Sequence, residues 1–214
     1  MNEEINIINT NKKNYKIKNF IINNKKKIII LLSTIILIFF GYFILEEIKQ
    51  KKKLNLANIY NASIINFNEN NTTNVKNEMI RIIKEKNTTY SPLALNFLID
   101  NNISISDTEI NELFNILINE ANLEKEIKNL IIYKKALYNS DFESENNLLE
   151  ILKPIINSES IWKSHALYLM AEYFYSKNEK IKAKEFFEDI IILENSNSII
   201  KTKAQKRINR DFSE

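Results

Sequence analysis

The sequence predicts an all-α protein: an N-terminal transmembrane helix followed by an array of antiparallel helix pairs. Three observations carry that expectation. The run Ile28 to Leu45 is 18 residues without a charge. The 214 residues include one glycine and two prolines, too few turn-formers for a β-rich fold or a phosphate-cradling loop. Beyond the apolar run, hydrophobic residues return every three or four positions, the period of an amphipathic helix.

Composition narrows the functional classes. The formal net charge is +3, and the lysines gather around the apolar run, so the chain offers no nucleic-acid face. Cysteine is absent, which removes disulfides, thiolate metal sites and a cysteine nucleophile. Asn, Lys and Ile dominate throughout, as an AT-rich genome would impose. The Asn-x-Ser/Thr matches at Asn61, Asn71, Asn87 and Asn102 therefore arise by composition and predict no glycosylation.

The first element is a tail, residues 1–24, rich in Asn and Lys and without sustained periodicity. The anchor follows over 25–48, with Ile28, Leu31, Ile35, Phe39, Gly41 and Leu45 inside the apolar run. At ~1.5 Å per residue that run reaches ~27 Å, close to the hydrocarbon thickness of a bilayer. Ser33 and Thr34 are tolerable because their hydroxyls can bond back to helix carbonyls. Glu46, Glu47, Ile48 and Lys49 follow directly where a cleaved signal would show small residues, so the anchor reads as uncleaved. Lys12, Lys13, Lys16, Lys18, Lys25, Lys26 and Lys27 precede it, against Lys49, Lys51, Lys52 and Lys53 after it. The excess favours a cytoplasmic N-terminus and a domain on the far side, the periplasm in a Gram-negative cell.

Residues 49–214 form the expected soluble domain. No turn signal appears before Asn70 and Asn71, so the anchor helix continues into a stretch carrying Leu56, Ile59, Tyr60, Ser63, Ile64 and Phe67. Val75, Met79, Ile82 and Ile83 mark the next helix, about 74–86. Ser91 followed by Pro92 predicts a cap and first turn. Ser106 and Glu109 fit a capping box ahead of Ile110, Leu113, Phe114, Leu117 and Ile118. A run from Leu123 to Tyr138 places Ile127, Leu130, Ile131 and Lys134 on successive turns, and a run from Ser144 to Ile156 is broken or bent by Pro154.

The clearest repeat spans 158–195, where two helices flank the turn Ser176-Lys177-Asn178-Glu179. Leu167, Met170, Ala171 and Phe174 lie on its first helix, Ala183 and Phe187 on its second. Small residues let helix backbones approach while aromatics fill the space beside them. This pattern resembles a tetratricopeptide repeat, and Leu93-Ala94-Leu95-Asn96-Phe97 echoes its first helix. An ordinary antiparallel bundle would also space its alanines and aromatics at helical intervals. The stretch 198–211, with Ile199, Ile200, Ala204 and Ile208, reads as a terminal helix covering the last repeat.

The order of parts, charged tail, one membrane helix, a long helix with Ala57-Asn58-Ile59-Tyr60-Asn61-Ala62, degenerate repeats and a clear last one, resembles the tetratricopeptide-repeat family of ancillary SecYEG translocon subunits, in its divergent alphaproteobacterial-like members. The resemblance implies a periplasmic domain that works with the translocon and with chaperones of exported polypeptides. Tyr168, Tyr173 and Tyr175 are candidate partner contacts, with some of the three expected in the core.

No chemistry stands against an interaction role. The single histidine, His165, cannot make a histidine-rich metal site, and no nucleophile elbow or phosphate loop occurs. The carboxylates Glu143 and Glu145, and Glu185 with Glu188 and Asp189, have lysine neighbours and read as solvated faces, with Lys182 pairing Glu185. The expectation is therefore no enzyme, no catalytic residue, no metal, no cofactor and no small-molecule substrate. The expected partners are proteins, with the bilayer held through the anchor. The rival readings are a structural subunit of another envelope complex, for cell division or outer-membrane assembly, and a cell-wall enzyme with a helical domain.

Overall fold

A computed structural model describes residues 18, 20, 22–68 and 71–212. The tail expected over 1–24 falls largely outside them, as does Asn70 of the expected first turn. The described residues form helices joined by turns, with no strand among them. The chain divides into two compact units, Met1–Asn55 and Leu56–Glu214.

The first helix, α1, is assigned over Lys25–Ile65, so its residues to Asn55 belong to the first unit. It contains an apolar window long enough to cross a membrane, and none of that window is buried in the protein. The Thr34 hydroxyl donates back to the Ile30 carbonyl at 2.9 Å, which satisfies it inside the helix. Nothing lies within 4 Å of where a Cβ on Gly41 would sit.

The second unit begins with the last turns of α1 and adds eight helices: α2 Thr72–Lys84, α3 Tyr90–Asp100, α4 Asp107–Asn119, α5 Lys125–Asn139, α6 Glu145–Ile156, α7 Lys163–Ser176, α8 Lys180–Ile192 and α9 Ser198–Asp211. The main packing contacts join each helix from α2 onward to its neighbour in sequence, and also α2 to α4, α5 to α7 and α7 to α9. The unit has two hydrophobic clusters. Val75, Met79, Ile82 and Ile83 of α2 pack with Leu95, Phe114 and Ile131 in the first. Leu148, Met170, Phe174 and Phe187 centre the second. Helix α5 serves both, since the adjacent Ile131 and Ile132 belong one to each.

Local chemistry explains several boundaries and corrects several expectations. Ser106 caps α4 by accepting the Glu109 amide at 3.2 Å, and Ser144 caps α6 by accepting from Asn147 at 3.3 Å. Ser91 is not a cap. It lies inside α3, fully buried, and its hydroxyl donates to the Ile82 carbonyl at 2.6 Å. The Asn87 carboxamide oxygen takes the capping task, accepting the amides of Thr89 and Tyr90 at 3.0 and 2.9 Å. Pro154 does not break α6, which runs two residues further to Ile156; in the last turn its missing N–H and its ring disturb little downstream helix.

The stripe expected on α5 holds at Ile131, which is buried, but not at its start. Ile127 is exposed, and the buried positions are Asn129, Ile131, Ile132, Ala136 and Asn139. Asn139 and Asn111 of α4 exchange amide hydrogen bonds, both at 2.9 Å, which lets a carboxamide occupy the buried face. On α9 the core residues are Ile200 and Ala204, while Ile199 points to solvent. Asn197 caps that helix, accepting from Ile199 and Ile200.

Candidate binding cleft

The α7–α8 pair is built on two small residues. Ala171 and Ala183 are fully buried, and Leu167, Met170, Phe174 and Phe187 are buried around them. Phe174 stacks on Phe186, centroids 5.4 Å apart, while Phe187 meets the edge of Tyr168 at 5.5 Å. Lys182 lies 4.9 Å from the Phe174 centroid and pairs with Glu179 and Glu145 at 2.8 and 2.9 Å, not with Glu185.

Of the three tyrosines singled out in the sequence, Tyr173 is 9% exposed, and its hydroxyl donates to the Glu143 carbonyl at 3.1 Å, so its ring is core. Tyr168 and Tyr175 are half-buried and pack against the second cluster. They lie on one stripe of α7 that opens with Trp162, just before the helix, and continues through His165, Tyr168, Glu172 and Tyr175. The spacing of three and four residues keeps this set on a single helix face.

The two ends of the stripe differ in chemistry. At the Trp162 end, Tyr133 of α5 stacks on the indole at 6.0 Å and meets the His165 ring at 5.9 Å. Trp162 and His165 are 5.1 Å apart. Burial, reinforced by the charge of Lys203, holds the His165 imidazolium below its ordinary pKa, so the ring is neutral at pH 7.

The other end is basic. A cleft of about 660 Å³ is lined by Tyr168 of α7 and by Lys203, Lys206, Arg207, Asn209 and Arg210 of α9. Arg207 donates to Glu172 at 2.8 Å and to Asp211, and its guanidinium lies 4.1 Å from the Tyr175 centroid. Arg210 donates to Asp211 through Nε and Nη2, at 2.8 and 3.0 Å. Burial and the hydrogen bond to Glu172 push the Tyr168 phenol up to about 12, which keeps it protonated.

The four cations were not singled out in the sequence. The available signal was Lys203, Lys206, Arg207 and Arg210 at intervals of three and four along one helix. What the sequence alone withholds is the neighbour they face.

A second groove, of about 400 Å³, is lined by Glu185, Glu188, Asp189, Ile191 and Ile192 of α8. Burial first, then Glu185 and Glu188, raise the Asp189 carboxyl above its ordinary range, while Lys163 opposes them. Glu143 accepts from Asn147 at 2.6 Å, and Glu145 is taken by Lys182, so these carboxylates have structural partners. Among the described residues no three His, Asp or Glu side chains converge as a metal site. No protein-family model, no curated protein and no solved structure matches the chain.

Proposed function

We propose that this chain is a membrane-anchored helical scaffold whose stacked helix pairs hold a groove for polypeptide or partner-protein binding beside the bilayer. The observation that carries the reading is the pairing, in one chain, of a helix holding a wholly unburied apolar window with a helical unit whose packing runs between near neighbours in sequence. Near-neighbour packing is the hallmark of repeat stacks, tetratricopeptide arrays among them, and such stacks present long continuous binding faces. An anchor confines that face near membrane partners and raises its effective concentration there. The face running from Trp162 to Arg210 supplies aromatic area at one end and positive charge at the other.

The resemblance in order of parts makes an ancillary role at the Sec translocon, or in the chaperone network that receives exported polypeptides, the first version to test. In that version the N-terminus is cytoplasmic and the helical unit periplasmic. Proximity labelling from the C-terminus of the full chain in its native membrane tests it. Enrichment of translocon subunits and exported polypeptides is the expected result. Enrichment of a division or outer-membrane assembly complex instead would move the scaffold to that complex, and labelling of lipid-embedded bystanders alone would sink the scaffold reading.

A further inference from the structure

Charge accounting separates the four cations of the α9 cleft into two kinds. Arg207 and Arg210 are matched by two carboxylates, Glu172 and Asp211, through the hydrogen bonds described above. Arg207 is also covered, its side chain 14% exposed and its guanidinium set over the Tyr175 ring. These arginines tie α9 to α7 and close its last turn. Lys203 and Lys206 are exposed and hold no ion pair. The cleft therefore carries a surplus of two positive charges, both on the lysines.

Resting on the scaffold reading, we propose that this cleft takes an extended acidic peptide segment, with Lys203 and Lys206 holding carboxylates at alternate positions of the bound chain. Residues three apart on a helix put their Cβ atoms ~5–6 Å from one another. Side chains two apart on an extended strand point the same way at about 6.6 Å, so the two spacings match. The Tyr168 phenol stays protonated beside Glu172 and adds no third negative charge to repel the ligand.

Shape favours a peptide over a lipid surface. The lysines border an open cleft of about 660 Å³ shared by α9 and the Tyr168 ring of α7, so a ligand there meets two helices rather than one helix face. A helix that docks on a bilayer keeps large apolar residues free opposite its cations. Helix α9 spends Ile200 and Ala204 on the protein core, and its one exposed large apolar residue, Ile199, lies one turn before Lys203 on the cations' own side rather than opposite them.

The test uses the full chain in nonionic detergent and a fluorescein-labelled ten-residue peptide of alternating Glu and Ser, read by anisotropy. The Glu peptide binds saturably, its Gln-for-Glu counterpart binds at least tenfold more weakly, and raising salt from 50 to 300 mM weakens the Glu peptide severalfold. Lys203→Ala with Lys206→Ala lowers its affinity at least tenfold at an unchanged thermal midpoint, because neither side chain enters the core. Lys203→Glu with Lys206→Glu reverses the preference toward a Lys-Ser peptide.

Equal binding of the Glu and Gln peptides, or undiminished binding by the double alanine variant, overturns the proposal. So does a chain that ignores the Glu peptide but associates through these lysines with phosphatidylserine vesicles, or with a second copy of itself. The two readings fail separately. A cleft that ignores acidic peptides, in a chain whose labelling still recovers partner proteins, sinks this inference and leaves the scaffold standing.

Discussion

Asn178 has φ 62°, Asn102 φ 49° and Lys86 φ 55°, and each follows a helix end. After α7 the amide of Glu179 donates to Phe174 O at 2.9 Å and that of Asn178 to Tyr175 O at 3.0 Å, the Schellman pattern that satisfies orphan carbonyls. The same pattern recurs after α3, where Ile103 donates to Leu98 O and Asn102 to Ile99 O. In a chain with one glycine, asparagine fills two of these three left-handed positions because its short polar side chain tolerates that region. Asn178→Ala should lower stability by about 1 kcal/mol and Asn178→Gly by much less or not at all. Equal thermal midpoints for the two variants would refute that assignment. A second residue-scale expectation concerns His165, which faces Tyr133 of α5, Trp162 and Lys203 of α9. Its folded pKa lies below the unfolded value of about 6.5, so the unfolded chain binds the extra proton. Its contribution is full above pH 6.5 and is lost as pH falls through the window beneath. His165→Phe keeps a ring there without the titration, so the drop in thermal midpoint between pH 7.5 and 5.5 should shrink. An unchanged pH dependence would place the sensitive group elsewhere.

At the level of helices, α7 and α8 pack closely, and each contributes a fully buried alanine, Ala171 and Ala183, to the same cluster. Ala183→Leu adds volume where nothing can yield, and overpacking of this kind typically costs about 1–3 kcal/mol. Unfolding of the variant in denaturant should show that loss, and a stability equal to the parent would mean the interface has slack. This hairpin was legible in the sequence because its spacing, its small residues and its aromatics all point to one packing. Helix α5 was less so: the stripe through Ile127 obeys helical periodicity, but Ile127 is exposed while Asn139 is buried beside Ile131, Ile132 and Ala136. A carboxamide reads as exposed until its partner Asn111, on another helix, is known. The α3 cap was missed for a related reason, since Asn87 is one asparagine among many while Ser91 followed by Pro92 is conspicuous. Two of the five residues of the α7 stripe were visible as Tyr168 and Tyr175, but the basic cleft depends on α9 lying against α7, a contact no local pattern encodes.

For the molecule as a whole, the consequential quantity under the proposed anchoring is the side of the membrane on which the helical unit would stand. The apolar window lies within a helix running Lys25–Ile65, and charge flanks the apolar run on both sides. Before it stand Lys12, Lys13, Lys16, Lys18, Lys25, Lys26 and Lys27; after it stand Lys49, Lys51, Lys52 and Lys53. Positively charged residues near the ends of a span are retained on the cytoplasmic side, and the proposed orientation, N-terminus inside, rests on the larger group standing there. Lys25, Lys26 and Lys27 adjoin the apolar run directly and carry the whole excess, since without them four lysines face four. Changing these three to Gln should therefore turn one orientation into a mixture, and adding Lys49→Gln and Lys51→Gln should restore the original. A C-terminal fusion to a reporter active only outside the cytoplasm reads this as high activity in the parent, intermediate in the triple variant and high again in the quintuple one. A reporter already silent in the parent would invert the topology, and with it the compartment in which the α9 cleft could meet a partner. Activity unmoved by the three substitutions would show that another feature of the chain, not its lysine balance, fixes the orientation.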